Sequence, residues 1–178
     1  MLLRGKDKER IVKEHKITKW IPWSETCFGC NGGMNEGIGM RCGITEDGYV
    51  VGFCRTKTGH QGFPNTVHGG LVSAYLDEVL WHATRQKEPD TIAMTVEMTV
   101  RYFRPVDIGA DIRVIAEPAE KEGRHIYVNG YVLLPDNTVA ATARIHYVTV
   151  RQNSERIHAE KERMKYTEAL TDKEQVWF

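Results

Sequence analysis

Residues 65–82, NTVHGGLVSAYLDEVLWH, hold two histidines, two adjacent carboxylates and a Gly-Gly pair. Residues of these types serve a metal site, a catalytic helix, or a buried helix with a few paired polar groups. Helical geometry separates the three. Each residue advances about 100°, so Glu78 and His82 stack on one face while Asp77 points about 140° away from His82. One glutamate and one histidine supply two ligands where a catalytic zinc takes three, so no metal is expected at this helix. Glu78 and His82 read instead as a pair satisfying each other's hydrogen bonds.

Asp77 shares its face with Ser73, Ala74, Trp81 and Thr84 rather than with other charges. A carboxylate there is costly unless paired or hydrated. It either lies on a solvent stripe, accepts bonds from Ser73 or Thr84, or faces a ligand pocket. In the last case burial raises its pKa from a reference of about 3.9 and makes it a better base. At the start of the helix, Gly69 and Gly70 either permit a tight turn or leave backbone N–H groups open to an anion or a developing oxyanion. Asp77 lies eight residues beyond Gly69, about 12 Å along a helix axis, too far for both to touch one reacting carbon. If the two cooperate, the aspartate must come from a second copy, which requires at least a dimer.

The elements that must hold these groups follow from pattern. IGMRCGITE and YVVGFCRTK, separated by Asp-Gly, form an antiparallel hairpin. TGHQGFPNTVHGG is an ordered loop running into a helix from about Gly70 to Arg85, apolar on most of its circumference and therefore buried. TIAMTVEMTVRYFRPV, ADIRVIAE, RHIYVNGYVLL and TVAATARIHYVTVR are four further strands, with turns at DIGA, EKEG and LPDN. Two strands, one buried helix and four strands predict an α+β domain with a curved antiparallel sheet wrapped around the helix. DKERIVKEHKITKW, residues 7–20, reads as a short charged helix, and the charged segment after Asn153 as a helical appendage. The divisions are 1–25, an N-terminal lead-in; 26–152, the sheet-and-helix domain; and 153–178, the C-terminal extension.

Basic and acidic residues balance at 24 each among 178 residues, which gives nucleic acid or an anionic membrane no global attraction. No apolar run approaches the roughly 18 residues that span a bilayer, and MLLRGKDKERIVKEHK lacks the apolar centre of a signal peptide, so a cytoplasmic location is expected. Cys27, Cys30, Cys42 and Cys54 are accordingly expected as free thiols. Cys27-Phe28-Gly29-Cys30 has the spacing of a zinc pair, but a second closely spaced Cys or His pair is missing. A turn shaped by small residues is the expectation.

VHGGLVSAYLDEV resembles the hotdog-fold acyl-CoA thioesterases of the PaaI-like branch, whose signature is His-Gly-Gly with an acidic residue nine positions after the histidine. His68 and Asp77 meet that spacing. HQGFPNTVHGG is similar to the family's loop, MTVEMTVRYFRPV to its next strand ending in an aromatic-x-Arg-Pro turn, and CFGCNGGMNEGIGM to the CFxCG opening of some members. The resemblance runs from about residue 27 to 150. It implies a hotdog fold, one long central helix wrapped by an antiparallel sheet, here with N- and C-terminal helical extensions.

The resemblance also implies an acyl-CoA thioesterase acting without a separate cofactor, since coenzyme A is part of the substrate. Asp77 falls at the family's base or nucleophile and the Gly69 amide at its oxyanion donor, with Gly70 beside it. His68 aligns with a histidine that some members use. Thr95, seven before Tyr102, falls where a hydroxyl orients the water. Several relatives carry Asn or Gln six residues before the histidine. Here that position is Gly62, with Gln61 and Asn65 nearby as substitutes. Arg101, Arg104 and Lys57 are candidates for the CoA phosphates. The expected assembly is a homodimer or homotetramer with sites at the subunit interface. A non-catalytic acyl-CoA binding or sensing protein is the alternative, and an acyl-CoA hydratase is a third reading.

Overall fold

The computed structural model describes residues 13–24, 27–30, 37–89, 91–150, 164–165 and 175–177. In chain order these form β1 (Glu14–Trp20), β2 (Trp23–Ser24), β3 (Arg41–Thr45), β4 (Val50–Arg55), α1 (Gly69–Lys87), β5 (Ile92–Tyr102), β6 (Asp111–Ala116), β7 (Glu120–Glu122), β8 (His125–Leu133), β9 (Val139–Val150), β10 (Met164–Lys165) and β11 (Gln175–Trp177). The main sheet runs β11-β1-β3-β4-β6-β8-β9-β5, with β7 on β8, and every pairing is antiparallel. Helix α1 packs against β4, β5, β6, β8 and β9. This is the expected hotdog architecture, a curved sheet around one long helix.

The helix is held by burial. Tyr75, Leu76, Val79, Leu80 and Ala83 are fully buried and meet Met40, Val50, Ile112, Val114, Val128 and Ile145 of the sheet. Each of the buried Leu and Val side chains stabilises the fold by roughly 1.5–3 kcal/mol relative to exposure. Two glycines set how close the layers come. A Cβ on Gly52 would lie 2.4 Å from Val79 Cγ2, and one on Gly130 2.5 Å from Leu80 Cδ1 and 2.4 Å from the Ile115 carbonyl. Because successive strand residues face opposite sides, Val51 and Ile115 build a second apolar cluster with Ile17, Tyr131 and Leu133 on the other face of the sheet.

Three expectations need correction. Residues 14–20 form a strand rather than part of a helix over 7–20: Ile17 is buried against Val51, the first half of β1 (Glu14, His15, Lys16) pairs with β11, and the second half (Ile17, Lys19, Trp20) pairs with β3. Residues 7–12 lie outside the described residues. In the C-terminal extension the described pieces, Met164–Lys165 and Gln175–Trp177, are strands on β2 and β1, not helix; the remainder of 153–178 lies outside the described residues. The EKEG turn is shifted, since Glu120–Glu122 pair with β8 as β7. Among the described residues no helix is long and apolar enough to cross a membrane.

Candidate active site

The loop before α1 is built to present the helix start. His60 Nδ1 accepts from the Lys57 amide at 3.2 Å and is bonded to the Tyr75 hydroxyl at 2.7 Å, tying the loop to the buried face of α1. Burial is the main cause that holds the His60 pKa below its ordinary value, helped by the nearby Lys57 charge. Gln61 Oε1 accepts from the Asn65 amide at 3.1 Å, and Asn65 sits at φ 57, a left-handed conformation that asparagine tolerates. Gly62 has no room for the longer side chain expected at that position in relatives, because a Cβ would lie 2.9 Å from His68 Cα.

His68 caps the helix. Its Nδ1 accepts from the Gly70 amide at 3.0 Å, and its carbonyl accepts from Leu71 and Val72. The Gly70 N–H is thereby used. The Gly69 N–H, exposed at the positive end of α1, has no partner among the described residues. It is the free donor of the pair. Gly69, Val72, Tyr102, Phe103, Arg104 and Pro105 line an open groove there. The Tyr102 hydroxyl donates to the Gly69 carbonyl at 3.1 Å and lies 2.5 Å from Ser73 Oγ. The sequence reading missed Tyr102 as a neighbour of Gly69, because the two lie 33 residues apart, and it set Ser73 on the Asp77 face rather than beside Gly69.

Eight residues along the helix, Asp77 accepts a 3.0 Å bond from the Thr95 hydroxyl of β5. Neither Ser73 nor Thr84 bonds it: Ser73 bonds Gly69 and Tyr102, and Thr84 bonds the Trp81 carbonyl. Burial pushes the Asp77 carboxyl above its ordinary pKa, the Thr95 bond pulls back, and the adjacent Glu78 charge adds to the rise. A half-buried carboxylate held by one hydroxyl can accept a proton from water.

Sequence-predicted residues therefore divide into two groups on one helix. Gly69, Gly70, His68 and Arg104 meet at its N-terminus, with Gln61 and Asn65 in the turn before it, while Asp77 and Thr95 meet in its middle. Arg101 is exposed on β5 and points to the opposite face from Tyr102, away from the groove. Lys57 is engaged, its Nζ bonding the Gly37 carbonyl at 2.8 Å. Of the aromatic residues near the site, Tyr75 is core, Trp81 bonds the Ala93 carbonyl and Phe63 is exposed.

The other polar pair of α1 behaves as helical spacing predicts. His82 Nε2 lies 3.4 Å from Glu78 Oε1. The four cysteines are free thiols. The Cys27 sulfur adjoins Glu78, and hydrogen bonding from Cys30 is the main cause that brings its pKa down to about 6.

Residues 64–141 match the family model of the thioesterase superfamily. A crystallised thioesterase superfamily protein is 26% identical, with a TM-score of 0.56 over 61% of this chain and 53% of its own. PaaI of E. coli, from the phenylacetic acid degradation operon, is 14% identical, with a TM-score of 0.59 over 65% and 83% of the two chains. A Streptococcus mutans protein solved with acetyl-CoA is 16% identical, with a TM-score of 0.52 over 61% and 86%. An uncharacterized Schizosaccharomyces pombe protein is 28% identical over 40% of this chain and 41% of its own length, so the chain spans less than half of that curated relative. The segment that matches the thioesterase superfamily model runs from the loop before α1 into β9, and the sheet closed around α1 is the hotdog fold that PaaI also has.

Proposed function

We propose that the protein is an acyl-CoA thioesterase whose sites form between two copies of the chain. The observation that carries this is the way β5 runs beside α1. Thr95 near one end of β5 holds Asp77, and Tyr102 at the other end holds Gly69. Strand β5 closes the sheet among the described residues and exposes Met94, Val96 and Tyr102, with Phe103 exposed just beyond its end. Antiparallel pairing of two β5 edges about a centre near Met98 and Thr99 sets Thr95 of one copy opposite Tyr102 of the other. Asp77 of one copy then comes against Gly69 of its partner, which removes the separation of about 12 Å within one chain.

In this reading the thioester carbonyl oxygen accepts from the Gly69 amide at the positive helix end, where negative charge develops during attack. Asp77, oriented by Thr95, takes the proton of a water that attacks the carbonyl carbon, or itself attacks as nucleophile to give an acyl anhydride that water then hydrolyses to free acid and Asp77. The carbon–sulfur bond breaks and coenzyme A leaves as thiolate, a good leaving group that needs no separate acid. Arg104, in the groove beside Gly69, is placed for the phosphates of coenzyme A. The relative solved with acetyl-CoA supports an acyl-CoA ligand. Asp77 with its raised pKa favours hydrolysis over a purely binding role.

The test is a panel of short, long and aromatic acyl-CoAs, with Asp77→Asn and Asp77→Ala as blanks. Wild type is expected to release free coenzyme A from part of the panel and the variants to lose that release. A protein that binds acyl-CoA, with hydrolysis unchanged in Asp77→Asn, sinks the reading.

A further inference from the structure

The turn Cys27-Phe28-Gly29-Cys30 is placed against the middle of α1, where a third donor joins it. Cys27 Sγ lies 3.9 and 3.8 Å from the two carboxylate oxygens of Glu78. One donor atom each from Cys27, Cys30 and Glu78 all fall within 4.8 Å of one another. Zinc bonded to sulfur at about 2.3 Å and to oxygen at about 2.1 Å in tetrahedral geometry separates S from S by about 3.8 Å and S from O by about 3.6 Å. Cys27 and Glu78 already stand near that spacing, and Cys30 lies within 4.8 Å of both.

The surroundings are those of a held site. The Cys30 amide donates to Cys27 Sγ at 3.4 Å, a bond that favours sulfur as thiolate. The Ile38 amide donates to the Phe28 carbonyl and the Met40 amide to the Gly29 carbonyl, both at 2.8 Å, pinning the turn to the chain that enters β3. Gly29 is needed for the approach, since a Cβ there would fall 2.0 Å from a Glu78 carboxylate oxygen. Behind Glu78, the buried His82 places Nε2 3.4 Å from the same carboxylate, the position that outer partners of ligating carboxylates take.

We propose that Cys27, Cys30 and Glu78 bind one Zn²⁺ ion, with His82 as a positioning residue and a water completing the tetrahedron. Two thiolates with one carboxylate favour zinc over hard cations such as calcium or magnesium. Binding displaces to solvent whatever protons the two thiols still carry, with no redox change. The ion ties the N-terminal turn to α1 on the helix face beside the one that carries Asp77. The proposal is independent of hydrolysis.

The full chain, freed of metal by a chelator and kept reduced with a thiol-free reductant, is titrated with Zn²⁺ alone and with Co²⁺ alone. One ion per chain is expected, and cobalt should give the near-ultraviolet charge-transfer band of thiolate ligation. The double variant Cys27→Ser, Cys30→Ser should lose the stoichiometric ion and the band. The His82→Gln variant should weaken zinc binding about 10- to 100-fold while keeping the band. Should the double variant fail to fold, wild type is alkylated with and without Zn²⁺, and zinc is expected to protect Cys27 and Cys30 in peptide mass spectra. Absence of stoichiometric binding, a band that survives in the double variant, or unprotected Cys27 and Cys30 overturns the proposal.

Discussion

Asp77 and Glu78 are adjacent acids on one helix, and the fold gives them different surroundings. Asp77 is half-buried, faces β5, the edge strand among the described residues, and has the Thr95 hydroxyl as its partner. Glu78, about 100° further round the helix, faces inward to His82 and the Cys27 thiol and is taken up by them. The difference teaches that on a helix clamped between a sheet and an unpaired edge, the side that a residue faces decides its role more than its own acidity does.

The sharpest way to break the contrast is to neutralise each acid in turn. Asp77→Asn keeps the size and the Thr95 neighbour but removes the base, and is expected to lower kcat/KM for acyl-CoA by about 10²–10⁴-fold with an unchanged circular dichroism spectrum. Glu78→Gln should act mainly on stability. It leaves the buried His82 with a weaker partner, for a loss of about 1–3 kcal/mol in urea unfolding. The contrast collapses if Glu78→Gln costs as much hydrolysis as Asp77→Asn.

A smaller change sharpens the Asp77 side alone. Thr95→Val removes the one hydroxyl that orients the carboxylate and should lower kcat/KM about tenfold; an unchanged rate would mean that Asp77 is positioned by something else. The smallest effect is expected in the loop before Gly69, where His60, like Glu78, is a polar group spent on structure. Its pKa is lower in the folded protein than the ordinary value of about 6.5, so the unfolded chain takes up the proton first as pH falls. Its contribution is thus complete above about pH 6.5 and is lost as pH falls below that value toward the folded pKa. Tm should drop over this window in wild type and drop less in His60→Gln, while equal slopes would remove His60 from the account.

The amino-acid sequence alone determined the parts that depend on local periodicity. Helical spacing set Glu78 with His82 and turned Asp77 away from them, and alternation with turn residues marked β3, β4, β5, β6, β8 and β9. The spacing of His68 and Asp77 carries the resemblance to hotdog thioesterases, and the separation of Gly69 from Asp77 along the helix calls for a second copy if the two cooperate. Tertiary structure decided what is joined across distance. Residues 7–20 look helical because charged side chains dominate them, yet Ile17 finds its burial in the apolar cluster with Val51, Ile115, Tyr131 and Leu133, so over 14–20 a strand wins. Thr95 reaches Asp77, Tyr102 reaches Gly69, and the CFGC turn meets Glu78 only because the sheet wraps α1. Of the two glycines, the fold left the Gly69 amide open by spending His68 on Gly70. Local rules act over three or four residues along a helix and over alternate residues along a strand. Contacts between residues some 20 to 50 positions apart are fixed by the packing of the whole core, which no short window of sequence contains.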